Sequence, residues 1–146
     1  MAADIRKANR AWEALLTAHS QLMRGFSDEP VWRDHSLAMR EYDVLYTLSK
    51  CAEPARMGEL QGGVLLSQPA LSRLVDRLAS RGLVERVGDE ADGRAVRVAL
   101  TAAGAELQRA VGRSHARSVE RAMRALSPDE QRELERLARK LTTADN

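Results

Sequence analysis

At 146 residues, with 44% apolar and 30% charged side chains, the chain has the length of one domain and apolar content for one hydrophobic core. No apolar run approaches the roughly 20 residues of a membrane span, charges are threaded through the N-terminal MAADIRKANRAWEALL where a secretory signal would be apolar, and the single cysteine, Cys51, excludes an intrachain disulfide framework. A cytoplasmic protein is expected, and its net charge of +2 permits a polyanion partner without demanding one.

The first segment places Trp12, Leu15, Leu16, His19, Leu22, Met23 and Phe26 at steps of three and four, the apolar face of a helix that ends between Gly25 and Pro30. A second helix is expected from about Ser36 to Lys50, with Leu37, Tyr42, Leu45 and Leu48 on its buried side, and CAEPARM ends it because the residue before proline disfavours helix. GELQGGVLL reads as a short helix weakened by Gly62 and Gly63.

The segment SQPALSRLVDRLASRG carries its own punctuation. Ser67 is an N-cap, Pro69 sits in the first turn where a missing N–H does no harm, and Gly82 stops the helix. Leu71, Leu74, Val75 and Leu78 form the buried stripe, which leaves Gln68, Ser72, Arg73, Asp76 and Arg77 on the other face.

LVERVGDEADGRAVRVALT, residues 83–101, is the one stretch that reads as β-structure. Leu83, Val84 and Val87 make a first strand, and Val96, Val98 and Leu100 alternate with Ala95, Arg97 and Ala99 in a second. Asp92-Gly93 signals a turn, but the connection exceeds a two-residue hairpin loop, so its tip projects. Two strands alone are marginal in water, and such a hairpin must lean on something or reach for something. Thr101 then caps a long helix carrying Leu107, Val111, Met123 and Leu126. Ser127, Pro128 and Glu130 open the last helix with a capping box, and Leu134, Leu137 and Leu141 mark its apolar side.

Two adjacent short helices, the second with small polar and arginine residues on its exposed N-terminal half, have the form of a helix-turn-helix, whose second helix enters the DNA major groove. A projecting hairpin directly after it is a wing, and an arginine at its tip suits the negative potential of a narrow minor groove. In LSQPALSRLVDRLASRGLVERVGDEADGRAVRVALTAAG the ordered series of Leu-Ser, RLVDRL, GLVER, Asp-x-x-Asp-Gly-Arg and LTxxG resembles the MarR family of bacterial transcriptional regulators.

The resemblance implies a mainly α fold with a small β-hairpin wing. It implies a single domain over 1–146, with a winged helix-turn-helix over about 36–100 and dimerisation helices over about 1–30 and 101–146. It carries DNA contact onto Ser67, Gln68, Pro69, Ser72, Arg73 and Arg77, and onto Arg94 at the wing tip, with Asp89 and Asp92 shaping that loop. Further implications are a homodimer, a pseudo-palindromic double-stranded operator, and release by a small aromatic or phenolic effector near Trp12, Trp32, Tyr42 and Tyr46.

Blander readings stand beside these. Arg73 and Arg77 could be a solvated helix face with Asp76 as their local partner, and the aromatics could be core and dimer packing. Arg86 and Arg97 are expected to brace the hairpin. His19, His35 and His115 lack metal-ligand spacing, Cys51 reads as an inert small apolar residue, and no cofactor is implied. Neither a Gly-x-Ser-x-Gly, a His-Glu-x-x-His, a P-loop nor a Rossmann glycine series is present, so an enzyme has no support. The rival from another class is a winged helix used for protein–protein contact, with Glu85, Asp89, Glu90 and Asp92 around the wing as its support.

Overall fold

The computed structural model describes residues 2–64, 66–88 and 96–143. In chain order these form α1 (Ala2–Ser27), α2 (Pro30–Asp34), α3 (Met39–Ser49), β1 (Ala55–Arg56), α4 (Met57–Gly63), α5 (Gln68–Ser80), β2 (Val84–Gly88), β3 (Val96–Leu100), α6 (Ala102–Met123) and α7 (Pro128–Thr143). The chain divides into a compact unit over Ser27–Ser114 and a second made of the terminal stretches on either side, the division falling within α6. No helix among the described residues is long and apolar enough to cross a membrane.

Within Ser27–Ser114 the expected hairpin is not alone. β2 pairs antiparallel with β3 from Val84 opposite Leu100 to Gly88 opposite Val96, and β1 pairs with the other edge of β3, Ala55 opposite Val98 and Arg56 opposite Arg97. The sheet order is therefore β1-β3-β2. The third strand corrects the expectation of two, and it answers what the hairpin leans on: β3 is a central strand with Val98 fully buried. Two residues carry no readable alternation, so β1 left no signal in the sequence.

A second correction lies between the first two expected helices. Pro30 opens the five-residue α2, whose Val31 and Trp32 are buried. Ser36, in the left-handed region at φ 50°, then turns the chain so that α3 starts at Met39 rather than near Ser36. At that start the Ala38 N–H donates to Glu41 Oε1 at 2.9 Å, which gives the buried Glu41 carboxylate a partner.

The core joins all layers of this unit. Leu71, Leu74, Val75 and Leu78 of α5 are each at most 3% exposed, and they share one cluster with Val44, Leu45 and Leu48 of α3, Leu60 of α4, and Val84 and Val98 of the sheet. The glycine pair falls in the last turn of α4, where Gly63 is useful: a Cβ there would stand 3.1 Å from Thr47 Oγ1. Gly82, at φ 71°, supplies the left-handed residue that ends α5. Thr101 donates to the Gly82 carbonyl at 2.6 Å and accepts from the Gly104 N–H at 3.0 Å. Its own N–H donates to the Leu83 carbonyl at 3.2 Å.

In the terminal unit the capping box of α7 forms as expected, with the Glu130 N–H donating to Ser127 Oγ and the Ser127 N–H to Glu130 Oε2. The Phe26 and His115 rings meet edge to face at 5.1 Å. Along the polar side of α7 run the ion pairs Arg132–Asp129, Arg136–Glu133 and Arg139–Glu135. Its apolar side is uncovered: no residue of α7 is buried.

Candidate nucleic-acid interface

The turn before α5 builds the site's leading edge. Ser67 has extended backbone angles, and its hydroxyl accepts from the Ala70 N–H at 3.3 Å, so one of the unpaired N–H groups of the first turn is satisfied and Gln68 becomes the first helical residue. Because the stripe from Leu71 to Leu78 is held in the core, the opposite side of α5 is fixed toward solvent. Ser67, Gln68, Pro69, Arg73, Asp76 and Arg77 are exposed and Ser72 is half-buried. All six expected contact residues of this helix thus lie on one continuous segment. Arg94, Asp89 and Asp92 lie outside the described residues.

Asp76 is not the local partner of Arg73 or Arg77. Its Oδ1 lies 2.5 Å from Arg86 Nη1, so the pair ties β2 to α5. Among the described residues Arg73 and Arg77 have no ion-pair partner. Arg97 reaches the other way and donates to the Pro54 carbonyl at 3.1 Å, ahead of β1. The two strand arginines therefore do brace the hairpin, each against a different element. A further brace went unanticipated: Arg81 donates to the Ser36 carbonyl at 2.7 Å, which ties the end of α5 to the turn before α3. Only the arginine-rich composition hints at it, because the two residues are far apart in sequence.

A groove of about 450 Å³ runs beside α5, lined by Ala70, Arg73, Leu74 and Arg77 and by Arg40 and Glu41 of α3. Among the described residues no carboxylate is bonded to its two α5 guanidiniums, so this flank of the helix presents positive charge.

Three of the four aromatics named from the sequence assemble. Trp32 and Tyr42 are buried with ring centroids 5.7 Å apart, Tyr42 stacks on Tyr46 at 5.9 Å, and Lys50 Nζ lies 4.2 Å from the centre of the exposed Tyr46 ring. Burial pushes the Tyr42 phenol above its ordinary pKa, while a hydrogen bond with Gln108 pulls the other way. Trp12, on α1, is 60% exposed. Cys51 is half-buried, and its Sγ donates to the Thr47 carbonyl at 3.4 Å. Among the described residues no group of three His, Cys, Asp or Glu side chains could hold a metal ion.

A short helix, a tight turn, a capped second helix and an antiparallel hairpin on the same core define a winged helix-turn-helix protein. Residues 37–96 match the model of the MarR family. Solved structures share the fold across nearly the whole chain. AbsC, a MarR family transcriptional regulator from Streptomyces coelicolor, is 27% identical, with 92% of this chain and 90% of that one covered and a TM-score of 0.78. A mutant MarR from E. coli complexed with operator DNA is 25% identical, with 88% and 91% covered and a TM-score of 0.75. BpsR from Bordetella bronchiseptica, at 23% identity, 91% and 93% coverage and a TM-score of 0.78, shares the fold. No curated protein matches the sequence. The family and structural matches support a DNA-binding regulator.

Proposed function

We propose that the protein is a homodimeric transcriptional repressor that binds a pseudo-palindromic operator and is released by a small aromatic or phenolic effector. One domain spans 1–146 on this reading, with the winged helix over about 36–100 and dimerisation helices over about 1–30 and 101–146. The observation that carries it is the free face of α5. Ser67, Gln68, Pro69, Ser72, Arg73 and Arg77 lie on one solvent-facing segment of a helix whose other side is locked in the core, and among the described residues no carboxylate claims the two arginines. In a helix-turn-helix these residues meet base edges and phosphates, and Arg94 on the wing enters the adjacent minor groove.

Homodimerisation is supported by the apolar residues left in solvent on α1 and α7, among them Trp12, Leu15, Leu16, Leu134, Leu137 and Leu141. The effector class is supported by the aromatic run Trp32, Tyr42 and Tyr46, and by the relative BpsR, whose DNA binding is regulated by 6-hydroxynicotinic acid. An effector that favours a spacing of the two α5 helices unsuited to the operator releases the DNA.

A second reading, protein contact through the wing, has Val87 and Val96 exposed on β2 and β3 as its support. One experiment separates the two: selection from a randomised duplex pool at physiological salt, followed by fluorescence-anisotropy titration of what is enriched. An inverted repeat bound in a salt-sensitive manner is the expected result. A pool that emerges without enrichment rejects the operator reading in favour of protein contact.

A further inference from the structure

Arg73, Asp76 and Arg77 share the exposed side of α5. Residues three apart on a helix are surface neighbours, so the ordinary partner for the Asp76 carboxylate is Arg73. That pairing would draw the Arg73 guanidinium down onto the helix, and a bare carboxylate on the same face would repel phosphate. Neither occurs, because Asp76 Oδ1 is held 2.5 Å from Arg86 Nη1, which arrives from β2. The carboxylate is neutralised by a residue from outside the helix, and Arg73 and Arg77 stay free of ion-pair partners among the described residues.

From this we infer that Arg86 is a positioning residue for DNA binding: by occupying Asp76 it keeps the α5 arginines available to phosphate and cancels the one negative charge among them. The inference rests on the DNA-binding reading. The side chains of Arg86 and Asp76 are 40% and 58% exposed, and exposed pairs contribute little to folding. Its effect therefore belongs to binding rather than to stability, and it has a sign that a contact or a brace would not share. Once Asp76 is made neutral, Arg86 has nothing left to do.

The test compares the full chain with R86Q, D76N and the double variant R86Q/D76N. Each is titrated by fluorescence anisotropy against the duplex enriched by the unaltered protein, at several salt concentrations, and thermal midpoints are recorded alongside. R86Q should weaken binding about fivefold and lower the salt slope by about one, with little change in midpoint. D76N should bind at least as tightly as the unaltered protein, and the double variant should recover to within about twofold of it. Full-strength binding by R86Q overturns the inference. So does a double variant as weak as R86Q, which would make Arg86 itself the phosphate contact, and so does a D76N as weak as R86Q, which would make the tie of β2 to α5, and not the freeing of the α5 arginines, the pair's whole effect on binding. Should R86Q fail to fold, R86K keeps the charge and D76N alone still carries the sign of the prediction. Absence of any enriched duplex with the unaltered protein rejects the DNA-binding reading and this inference with it, and that result is known before a variant is made.

Discussion

Leu78 in α5 and Leu137 in α7 hold equivalent places in their sequence patterns, each on the apolar stripe of an amphipathic helix opened by a serine cap. Leu78 is fully buried, whereas Leu137 is 45% exposed. The contrast extends to the units around them. Every buried apolar residue among those described lies between Val31 and Val111, while α1 and α7 leave Ile5, Trp12, Leu15, Leu16, Leu22, Leu134, Leu137 and Leu141 in solvent. Helical periodicity therefore reports which face needs cover, and only the fold reports whether the same chain supplies it. In α5 the cover is α3, α4 and the sheet. In α7, on the proposed reading, it is a second copy.

The largest effect should sharpen that contrast. Leu78→Ala is expected to lower the unfolding free energy by about 2–5 kcal/mol, because it removes a side chain from a closed core that cannot collapse around the gap. Leu137→Ala should cost less than about 1 kcal/mol of the same quantity in the monomer, where half of that side chain already meets water. Urea unfolding of both variants at low protein concentration checks the pair, and equal losses would break the distinction. Leu134→Glu with Leu137→Glu should act on assembly instead, since a charge buried without a partner costs an interface roughly 3 kcal/mol or more. Sedimentation should then move from dimer to monomer while the helical circular dichroism persists. A double variant that still sediments as a dimer removes α7 from the interface.

A smaller but still clear loss is expected at Gly104, and it bears on what the sequence could reveal. A Cβ at this position would stand 1.9 Å from the Leu83 carbonyl oxygen, a contact with backbone that no rotamer relieves. Gly104→Ala should therefore cost about 1–3 kcal/mol, read as a lower thermal midpoint. The glycine was visible in the LTxxG pattern, but its reason was not, because the carbonyl it must avoid belongs to Leu83, the residue just before β2. The same division runs through the rest of the molecule. The Ser67 cap, the Leu71 to Leu78 stripe, the β2–β3 hairpin and the Ser127 capping box were legible because each is a local pattern within one element. The partner of β3 in β1 was not, since two residues show no period. The Asp76–Arg86 and Arg81–Ser36 contacts were not either, since their spacing is set by the fold and a nearer arginine to Asp76 was available in Arg73.

The smallest effect tests the aromatic run from within the winged unit. Tyr42 is buried with its phenol pKa raised above 10.0, first by desolvation, with the Gln108 hydrogen bond opposing. A group that holds its proton more tightly when folded contributes its full stability below the unfolded value and loses it as pH climbs from there through the folded value. At neutral pH Tyr42→Phe should cost about 1 kcal/mol through the lost hydrogen bond. Above about pH 10 the unaltered protein must begin to pay for an ionising phenol in an apolar site, and the variant has no phenol to ionise at that position. The stability gap between the two should therefore narrow with rising pH, an outcome measured by denaturant unfolding in a series from neutral to strongly alkaline buffer. The remaining tyrosine, lysine and arginine groups titrate in both proteins and cancel in the difference. A gap that stays constant across the series would mean that the Tyr42 hydroxyl reaches water, and the buried end of the Trp32–Tyr42–Tyr46 run would then be open to a ligand rather than sealed within the core.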